Sequence, residues 1–260
     1  MPIKMIVTDL DGTLLRSDST MSEYTQAVLS KCRRLGVKIV YATGRGKSAE
    51  RVAPTEFFDG KITSNGAIGR IGDDIVCYRL IPCQVARPIL VACDRRGMKI
   101  LSHIDGMHYS NFIVSDQWPQ ISNYKIVDFL HHDMDAEKLY MPNPMLDERK
   151  FIEQLLPDDL YFIVISYEDG FLGQIMHRDA TKAKAIYEIA QRWGISQSEI
   201  VAFGNDYNDI EMLQECGIGI VVSNAADEIK NVADFVCDTN DNDGVAKWIE
   251  ENLCKGGGNY

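Results

Sequence analysis

The chain has 260 residues, 45% of them hydrophobic, and a formal net charge of −11 at pH 7. A chain of this length can bury a full core as one large domain or two smaller ones, so no disulfide or metal is needed for stability. The acidic balance argues against nucleic acid or an anionic membrane as the main partner, because both require a basic face. An anionic substrate would therefore need a local cationic group.

The cysteines and the first residues indicate the compartment. Seven cysteines are scattered along the chain, with no CxxC pair and no set at zinc spacing. Charge at Lys4 and Asp9 precedes any apolar stretch that could serve as a signal sequence, and no later run approaches a membrane span. We expect a cytoplasmic protein with a flexible tail at residues 256–260. Its oligomeric state is not readable from the sequence.

The first 82 residues combine strand and helix patterns. Residues 4–9 and 37–43 are short β-rich runs, and residues 61–64 form a third. Between the first two, Thr20 and Glu23 have the spacing of a capping box before an apolar-periodic segment that ends at Gly36. The pattern predicts a strand, a helix and a strand in succession.

The middle of the chain has a different texture. It contains two helical segments, residues 85–96 and 147–156, and strand-like stretches at residues 99–103 and 108–113. An alternating pair around Glu168-Asp169-Gly170 is typical of a hairpin. We interpret residues 83–174 as an α+β insertion within the first domain.

The last third again alternates helices with apolar runs. Helices are predicted at residues 182–193, which Gly194 ends, then at 209–215, and at 225–232 behind Asn224. The runs at residues 200–203, 218–222 and 235–237 are almost continuously apolar, as in strands covered on both faces. Together the two outer segments predict a mostly parallel sheet with helices on both faces.

Four polar clusters lie at the ends of predicted strands or at a helix start. In open α/β sheets, ligands bind beyond the carboxyl ends of the strands. The clusters are TDLDGTLL (residues 8–15), ATGR (42–45), DATK (179–182) and NDYND (205–209). Each has a simpler explanation when taken alone: an Asp-Gly turn, a turn before a helix, a solvated lysine, and a helix N-cap at Asn208 with Glu211.

The clusters indicate more when taken together. Two carboxylates, a hydroxyl, a lysine and an acidic amide-rich segment would supply hard oxygen ligands for Mg²⁺ and donors for an anion, the combination that phosphoryl transfer needs. Other sites fit less well. The GKS at residues 46–48 lacks the first glycine of a phosphate-binding P-loop, because residue 41 is Tyr. Residues 238–244 resemble the start of a calcium loop, but the glycine falls one position late and residue 249 is Ile where such a loop has Glu. The histidines lack the spacing of metal ligands.

DLDGTLL, ATGR, SNGA (residues 64–67), the lysine before AKAI, and GNDYNDIEML occur in that order. In this order they resemble the motifs of the haloacid dehalogenase (HAD) superfamily, specifically its Cof-like, type IIB-capped sugar-phosphatase branch. The resemblance implies an α/β fold in which a Rossmann-like, mostly parallel sheet core (residues 1–82 and 175–260) carries an inserted α+β cap domain (83–174) that sets specificity. It also implies a Mg²⁺-dependent phosphomonoester hydrolase acting on a small phosphorylated metabolite, with a sugar phosphate favoured.

The resemblance also implies roles for individual residues. Asp9 would be the nucleophile that forms an aspartyl-phosphate, and Asp11 would act as acid and then as base. Thr43 and Lys182 would hold the phosphoryl oxygens. The implied substrate or phosphate contacts are Gly44, Arg45, Asn65, Gly66 and Asn208. The implied Mg²⁺ ligands are Asp9, Asp11 through its carbonyl, Asn205 and Asp209.

The chain departs from the family pattern at Asn205, where relatives carry the aspartate that binds the metal. An amide oxygen can ligate Mg²⁺ but brings no charge, so metal affinity should fall. Our hypothesis is that Asn205 keeps the position and Asp209 supplies charge directly or through water, with Asp206 as the rival ligand. Two other functions stay open: a catalytically weak binding or regulatory protein on the same scaffold, and a phosphomutase.

Overall fold

A computed structural model describes residues 2–167 and 170–254. The chain divides into two compact units, residues 1–78 with 181–260, and residues 79–180. The predicted tail at residues 256–260 and the predicted turn residues Glu168 and Asp169 lie outside the described residues. None of the helices in the described ranges has the length and apolar character needed to cross a membrane.

The first unit begins with strands on either side of one helix. Its elements are β1 (Met5–Thr8), α1 (Glu23–Arg34), β2 (Lys38–Ala42), β3 (Gly60–Thr63), β4 (Ile68–Ile71) and β5 (Asp74–Tyr78). The capping box predicted at Thr20 is wrong. Ser22 caps α1 by accepting a hydrogen bond from the Thr25 amide, whereas the backbone and hydroxyl of Thr20 both donate to Asp18.

The second unit is an antiparallel sheet with two helices. Its elements are α2 (Cys83–Arg95), β6 (Leu101–Ile104), β7 (Met107–Ser110), β8 (Tyr124–Ile126), β9 (Lys138–Pro142), α3 (Leu146–Leu155), β10 (Leu160–Tyr167) and β11 (Gly170–His177). In the described residues the strand order is β10-β11-β9-β6-β7-β8, and only β7 and β8 run parallel. His177 at the end of β11 pairs with Leu160, so this sheet continues past residue 174.

The first unit resumes with alternating helices and strands. These are α4 (Lys182–Arg192), β12 (Ile200–Gly204), α5 (Ile210–Glu215), β13 (Ile218–Val222), α6 (Asp227–Lys230), β14 (Phe235–Cys237) and α7 (Gly244–Ile249). The predicted helix behind Asn224 is shorter than expected. Asn224 does not cap it, because its side chain donates to the Gly12 carbonyl and accepts from the Asn240 amide.

The sheet of the first unit fixes where the polar clusters meet. Its order over the described residues is β14-β13-β12-β1-β2-β3-β4-β5, with β14 to β3 parallel and β4 and β5 antiparallel. One face packs against α1 and α7, and the other packs against α4. The predicted α/β fold, a Rossmann-like and mostly parallel core with an inserted α+β unit, is confirmed. The ends of β1, β2 and β12 therefore lie side by side.

Candidate active site

A cavity of about 290 Å³ opens at the carboxyl ends of the central strands. Its position follows from the register, because β1 pairs with both β2 and β12 and all three run parallel. The lining residues are Asp9, Asp11, Thr43, Gly44, Arg45, Asn205, Asp206 and Asn208. All of them except Asp206 belong to the site predicted from the sequence. Three separate sequence clusters therefore meet at one cavity.

Lys182 joins two carboxylates beside this cavity. It is the first residue of α4, only 1% of it is exposed, and its Nζ lies 2.7 Å from Asp9 Oδ1 and 2.6 Å from Asp209 Oδ1. The helix dipole disfavours a cation at this position by some tenths of a kcal/mol. Burial also works against the charge, but Asp209 and Asp9 outweigh it and raise the pKa of Lys182. The lysine therefore stays an ammonium.

The surroundings of the Asp9 carboxyl shift its pKa in opposite directions. Its pKa is raised to about 7, because burial and the nearby Asp209 raise it by more than Lys182 lowers it. The ion pair with Lys182 does not reverse the shift, because Asp9 must share that one ammonium with Asp209. The surroundings therefore hold the pKa of Asp9 above the usual value for an aspartate.

Asp209 is fully buried and shapes the loop that follows β12. Its Oδ1 accepts from Lys182, and its Oδ2 accepts from the backbone amides of Asn205 and Asp206 at 2.9 and 3.0 Å. A Cβ at Gly204 would lie 2.6 Å from the Asp209 Cβ, so the close approach requires glycine. The metal-ligand role of Asp209 stays a prediction. Here both of its oxygens are engaged by the protein.

The helix cap in this loop differs from the one predicted. Residues Tyr207–Asp209 form a 3-10 turn before α5, and Asp206 precedes it with extended backbone and accepts from the Tyr207 amide. The N-cap predicted at Asn208 is therefore wrong, because Asn208 lies inside the turn. Its Nδ2 instead donates to Asn65 Oδ1 at 3.1 Å.

Asp11 and Arg45 face each other at the mouth of the cavity. Arg45 Nε lies 2.7 Å from Asp11 Oδ2, and Arg45 Nη2 lies 2.5 Å from Oδ1, which is a two-pronged ion pair. Its hydrogen bond with Asp11 raises the pKa of Arg45. Gly12, with φ of +72°, turns the chain directly after Asp11. Both oxygens of the predicted acid/base group are thus held by a cation.

The segment after β3 supports the cavity from one side. Ser64 and Asn65 both have left-handed backbone, with φ of +51° and +58°. Their amides donate to the carbonyls of Arg45 and Thr43. A side chain at Gly66 would meet the Thr181 carbonyl at 2.1 Å. Asn65 and Gly66 do not line the cavity within the described residues; they back the loop that does.

Thr13 is a site residue that is absent from the set predicted from the sequence. Its hydroxyl donates to Asn205 Oδ1 at 2.7 Å, and only 1% of the residue is exposed. The signal available was its place in the DLDGT motif. The sequence indicates Asp206 only as a rival ligand to Asn205, yet both residues line the cavity.

The oxygen donors at the cavity fit a hard divalent cation. Among the described residues, no three His, Cys, Asp or Glu side chains come together as a metal site. Mg²⁺ does not need three, because one or two carboxylates with waters and substrate phosphate complete its octahedron. Asp9 and Asp206 both line the cavity; Asp9 uses one oxygen for Lys182, and Asp206 bonds backbone amides of its own turn and no cation among the described residues. These two carboxylates are the donors such an ion would use.

Residues 6–249 match the sequence profile of the haloacid dehalogenase-like hydrolases. The chain belongs to this family. The resemblance to Cof-like HAD phosphatases predicted from the motifs is therefore confirmed, and the enzyme is a HAD-type hydrolase of phosphoric monoesters. A small phosphorylated substrate follows from that class.

Relatives of known name match the chain almost end to end. A 5-amino-6-(5-phospho-D-ribitylamino)uracil phosphatase of Bacillus subtilis is 28% identical, covering 95% of this chain and 94% of its own. A phosphoglycolate phosphatase of Sulfolobus acidocaldarius is 27% identical and covers 96% of each chain. The solved structure of a HAD-superfamily phosphatase from Bacteroides thetaiotaomicron is 26% identical, with a TM-score of 0.83 over 96% of this chain and 95% of its own.

Proposed function

We propose that this HAD phosphatase is Mg²⁺-dependent and hydrolyses a sugar phosphate or a closely related small phosphorylated metabolite through an aspartyl-phosphate on Asp9. The observation that carries the proposal is the Asp9 carboxylate at the cavity, with Oδ1 held 2.7 Å from the buried Lys182 ammonium. Lys182 fixes one oxygen and leaves Oδ2 to attack phosphorus. A carboxylate held in this way is a nucleophile for phosphoryl transfer.

The reaction takes two displacements at phosphorus. In the first, Asp9 Oδ2 bonds to phosphorus, the ester bond to the leaving oxygen breaks, and Asp11 gives that oxygen a proton. In the second, Asp11 takes a proton from water, the resulting hydroxide attacks phosphorus, and the Asp9 carboxylate leaves with release of phosphate. One residue serves as acid and then as base, so it returns to its starting state.

Cations and donors at the cavity hold the phosphoryl group during both steps. Thr43, Gly44 and Asn208 line the cavity and are the proposed phosphate contacts, with Lys182 beneath Asp9. Asp9 and residues of the loop after β12 would hold Mg²⁺, which would supply positive charge to neutralise the phosphate when bound. Positioning and charge neutralisation are the main contributions that phosphoryl transfer requires of a protein.

Arg45 is proposed to exchange Asp11 for the substrate phosphate. A guanidinium pairs with two oxygens of a phosphate as readily as with a carboxylate. Binding of phosphate at Arg45 would therefore release Asp11 from its two-pronged ion pair. Asp11 would then be free to take up the proton that it gives to the leaving group.

The substrate class rests on the relatives and on the second unit. One relative is named for a phosphorylated ribityl compound and the other for phosphoglycolate, both small phosphate esters. We propose that residues 83–174, predicted as the cap, set specificity by recognising the organic part of the substrate, to which the phosphate is attached. The cytoplasmic location stays a prediction.

Phosphate release from a panel of sugar phosphates and other small monoesters, with Mg²⁺ or EDTA, tests the proposal. We expect turnover with Mg²⁺, loss of turnover in EDTA, and a loss of about a thousandfold or more in Asp9→Asn. Asp227→Asn is the matched control, because that carboxylate is 93% exposed in the same unit. Turnover that resists EDTA, or that survives in Asp9→Asn, would contradict the proposal.

A further inference from the structure

The side-chain amide of Asn205 is held in one orientation by Thr13. The Thr13 hydroxyl donates to Asn205 Oδ1 at 2.7 Å, so the oxygen points away from the NH₂ side. On that other side, a Cβ added to Gly12 would lie 2.9 Å from Asn205 Nδ2. The buried Thr13 hydroxyl thus contacts the oxygen end of the amide, and Gly12, which has no side chain, lies next to its nitrogen end.

This orientation leaves Asn205 with unused donors. Over residues 2–167 and 170–254, Nδ2 has no hydrogen-bond acceptor, and the residue lines the cavity. An NH₂ group donates two hydrogen bonds and cannot ligate a cation. In this orientation Asn205 presents hydrogen-bond donors to a ligand in the cavity, while its oxygen is turned towards the Thr13 hydroxyl.

Asp206 carries the negative charge that Asn205 lacks. Its side chain accepts from backbone amides of the following turn, with Oδ1 2.7 Å from the Tyr207 amide, and it pairs with no cation within the described part of the chain. Asp209 accepts from the backbone amides of both Asn205 and Asp206, which fixes the position of each. Both side chains line the cavity because the 3-10 turn begins directly after them.

We infer that the two neighbouring residues have separate roles, in which Asn205 binds an oxygen of the transferred phosphoryl group through Nδ2 and Asp206 is the charged ligand of the divalent cation. Thr13 is the positioning residue that keeps the amide turned for this role. The inference rests on the proposed function. A donor aimed at phosphoryl oxygens stabilises the charge that phosphoryl transfer displaces, and a carboxylate at Asp206 restores the charge for the metal.

Direct metal binding provides the first test, with Mn²⁺ titrated by electron paramagnetic resonance in place of Mg²⁺. We expect Asp206→Asn to weaken Mn²⁺ binding about tenfold or more and Asn205→Ala to change it less than about threefold. Urea unfolding of each variant checks that the loop still folds. The readout does not depend on turnover.

Anion binding provides the second test, with inorganic phosphate titrated calorimetrically at saturating Mn²⁺. Asn205→Ala should weaken phosphate binding about tenfold, as should Thr13→Val, which keeps the shape of the residue but removes the hydroxyl donor. Thr13→Ser retains the donor and should restore affinity. This rescue separates an orienting role of the hydroxyl from a packing role.

Two results would overturn the assignment. One is a tenfold loss of Mn²⁺ affinity in Asn205→Ala with none in Asp206→Asn, which makes Asn205 the metal ligand. The other is unchanged phosphate affinity in both Asn205→Ala and Thr13→Val. If the wild-type enzyme bound no Mn²⁺ and Asp9→Asn kept its turnover, the proposed function would fail and the assignment would fall with it. The variant patterns at Asn205 and Asp206 bear on the assignment alone.

Discussion

Lys182 and Asp209 form an ion pair sealed from solvent, with 2.6 Å between Nζ and Oδ1 and exposed fractions of 1% and 0%. The same ammonium bonds Asp9, and the other oxygen of Asp209 holds the loop that carries Asn205. One buried pair therefore connects the nucleophile to the loop after β12. Breaking it should disturb stability and chemistry together.

Asp209→Ala is expected to destabilise the protein by about 3–5 kcal/mol. Removing Asp209 leaves the buried Lys182 ammonium with Asp9 but without its second carboxylate, and an incompletely paired buried charge is costly. The backbone amides of Asn205 and Asp206 also lose their acceptor. Urea unfolding measures the change. Asp206→Ala is the matched control three residues away, since Asp206 is exposed, and it should cost less than about 1 kcal/mol. Equal losses in the two variants would refute the role given to Asp209.

The buried carboxyl of Asp9 should make the stability of the metal-free protein depend on pH. Burial raises its pKa from 3.8 to about 7. Between these values the folded protein keeps a proton at Asp9 that the unfolded chain has released. The stabilisation is therefore fully present below about pH 4 and is lost as the pH rises through 7, by up to about 1.4 kcal/mol per pH unit.

Asp9→Asn isolates this effect, because an amide does not titrate. The free energy of unfolding of the variant minus that of the wild type should increase from pH 4 to pH 7 and level off above it. Urea unfolding in EDTA at pH 5, 6, 7 and 8 gives the difference. Carboxylates that do not contact the group of Asp9, Lys182 and Asp209 titrate alike in both proteins and cancel. A difference that stays flat, or that decreases with rising pH, would show that the pKa of Asp9 is not raised.

The central strands were predictable because burial on both faces leaves a continuous apolar run. β13 and β14 lie where the runs predicted them, and β1 and β2 differ by one residue at each end. β5 and β8 were not predicted: both have exposed positions, so their sequences lack that signal. The partners of the polar stretch before α7 could not be predicted either, because they are far away in the sequence. Asp241 accepts a hydrogen bond from Ser17, and Asp243 forms an ion pair with Arg16.

The site was predictable to the same extent as the strand ends. Asp9, Thr43 and Asn205 follow strands that pair side by side, so parallel topology alone brings them together. The side-chain partnerships could not be predicted. Thr13 and Asn205 are 192 positions apart, and whether an amide oxygen meets a hydroxyl or a metal depends on orientation, which no residue spacing encodes.

Arg45→Lys should affect ligand binding much more than stability. Its ion pair with Asp11 is partly exposed, so its loss should cost less than about 1 kcal/mol. An ammonium cannot pair with two oxygens at once, so affinity for inorganic phosphate should decrease about tenfold. Arg16→Lys is the control, because Arg16 forms a similar two-pronged pair with Asp243 and does not line the cavity. Equal phosphate affinity in the two variants would exclude Arg45 as a phosphate contact.

Gly66→Ala should displace the start of α4, which carries Lys182. Gly66 has φ of +99°, and an added Cβ would lie 2.1 Å from the Thr181 carbonyl, one residue before Lys182. Because the Cβ position is fixed by its backbone and the Thr181 carbonyl is itself backbone, relieving the clash requires movement at the start of α4, and with it of the ammonium that holds Asp9. We expect the free energy of unfolding to decrease by about 3 kcal/mol or more, and kcat to be lower in the protein that remains folded.

Gly72→Ala is the matched control. Its φ is also positive, at +57°, but nothing lies within 4 Å of the added Cβ, so only about 1 kcal/mol of backbone strain should appear, with kcat unchanged. Unfolding curves and kcat for the two variants decide the matter, and a kcat in Gly66→Ala equal to that of Gly72→Ala would mean that the contact does not position Lys182.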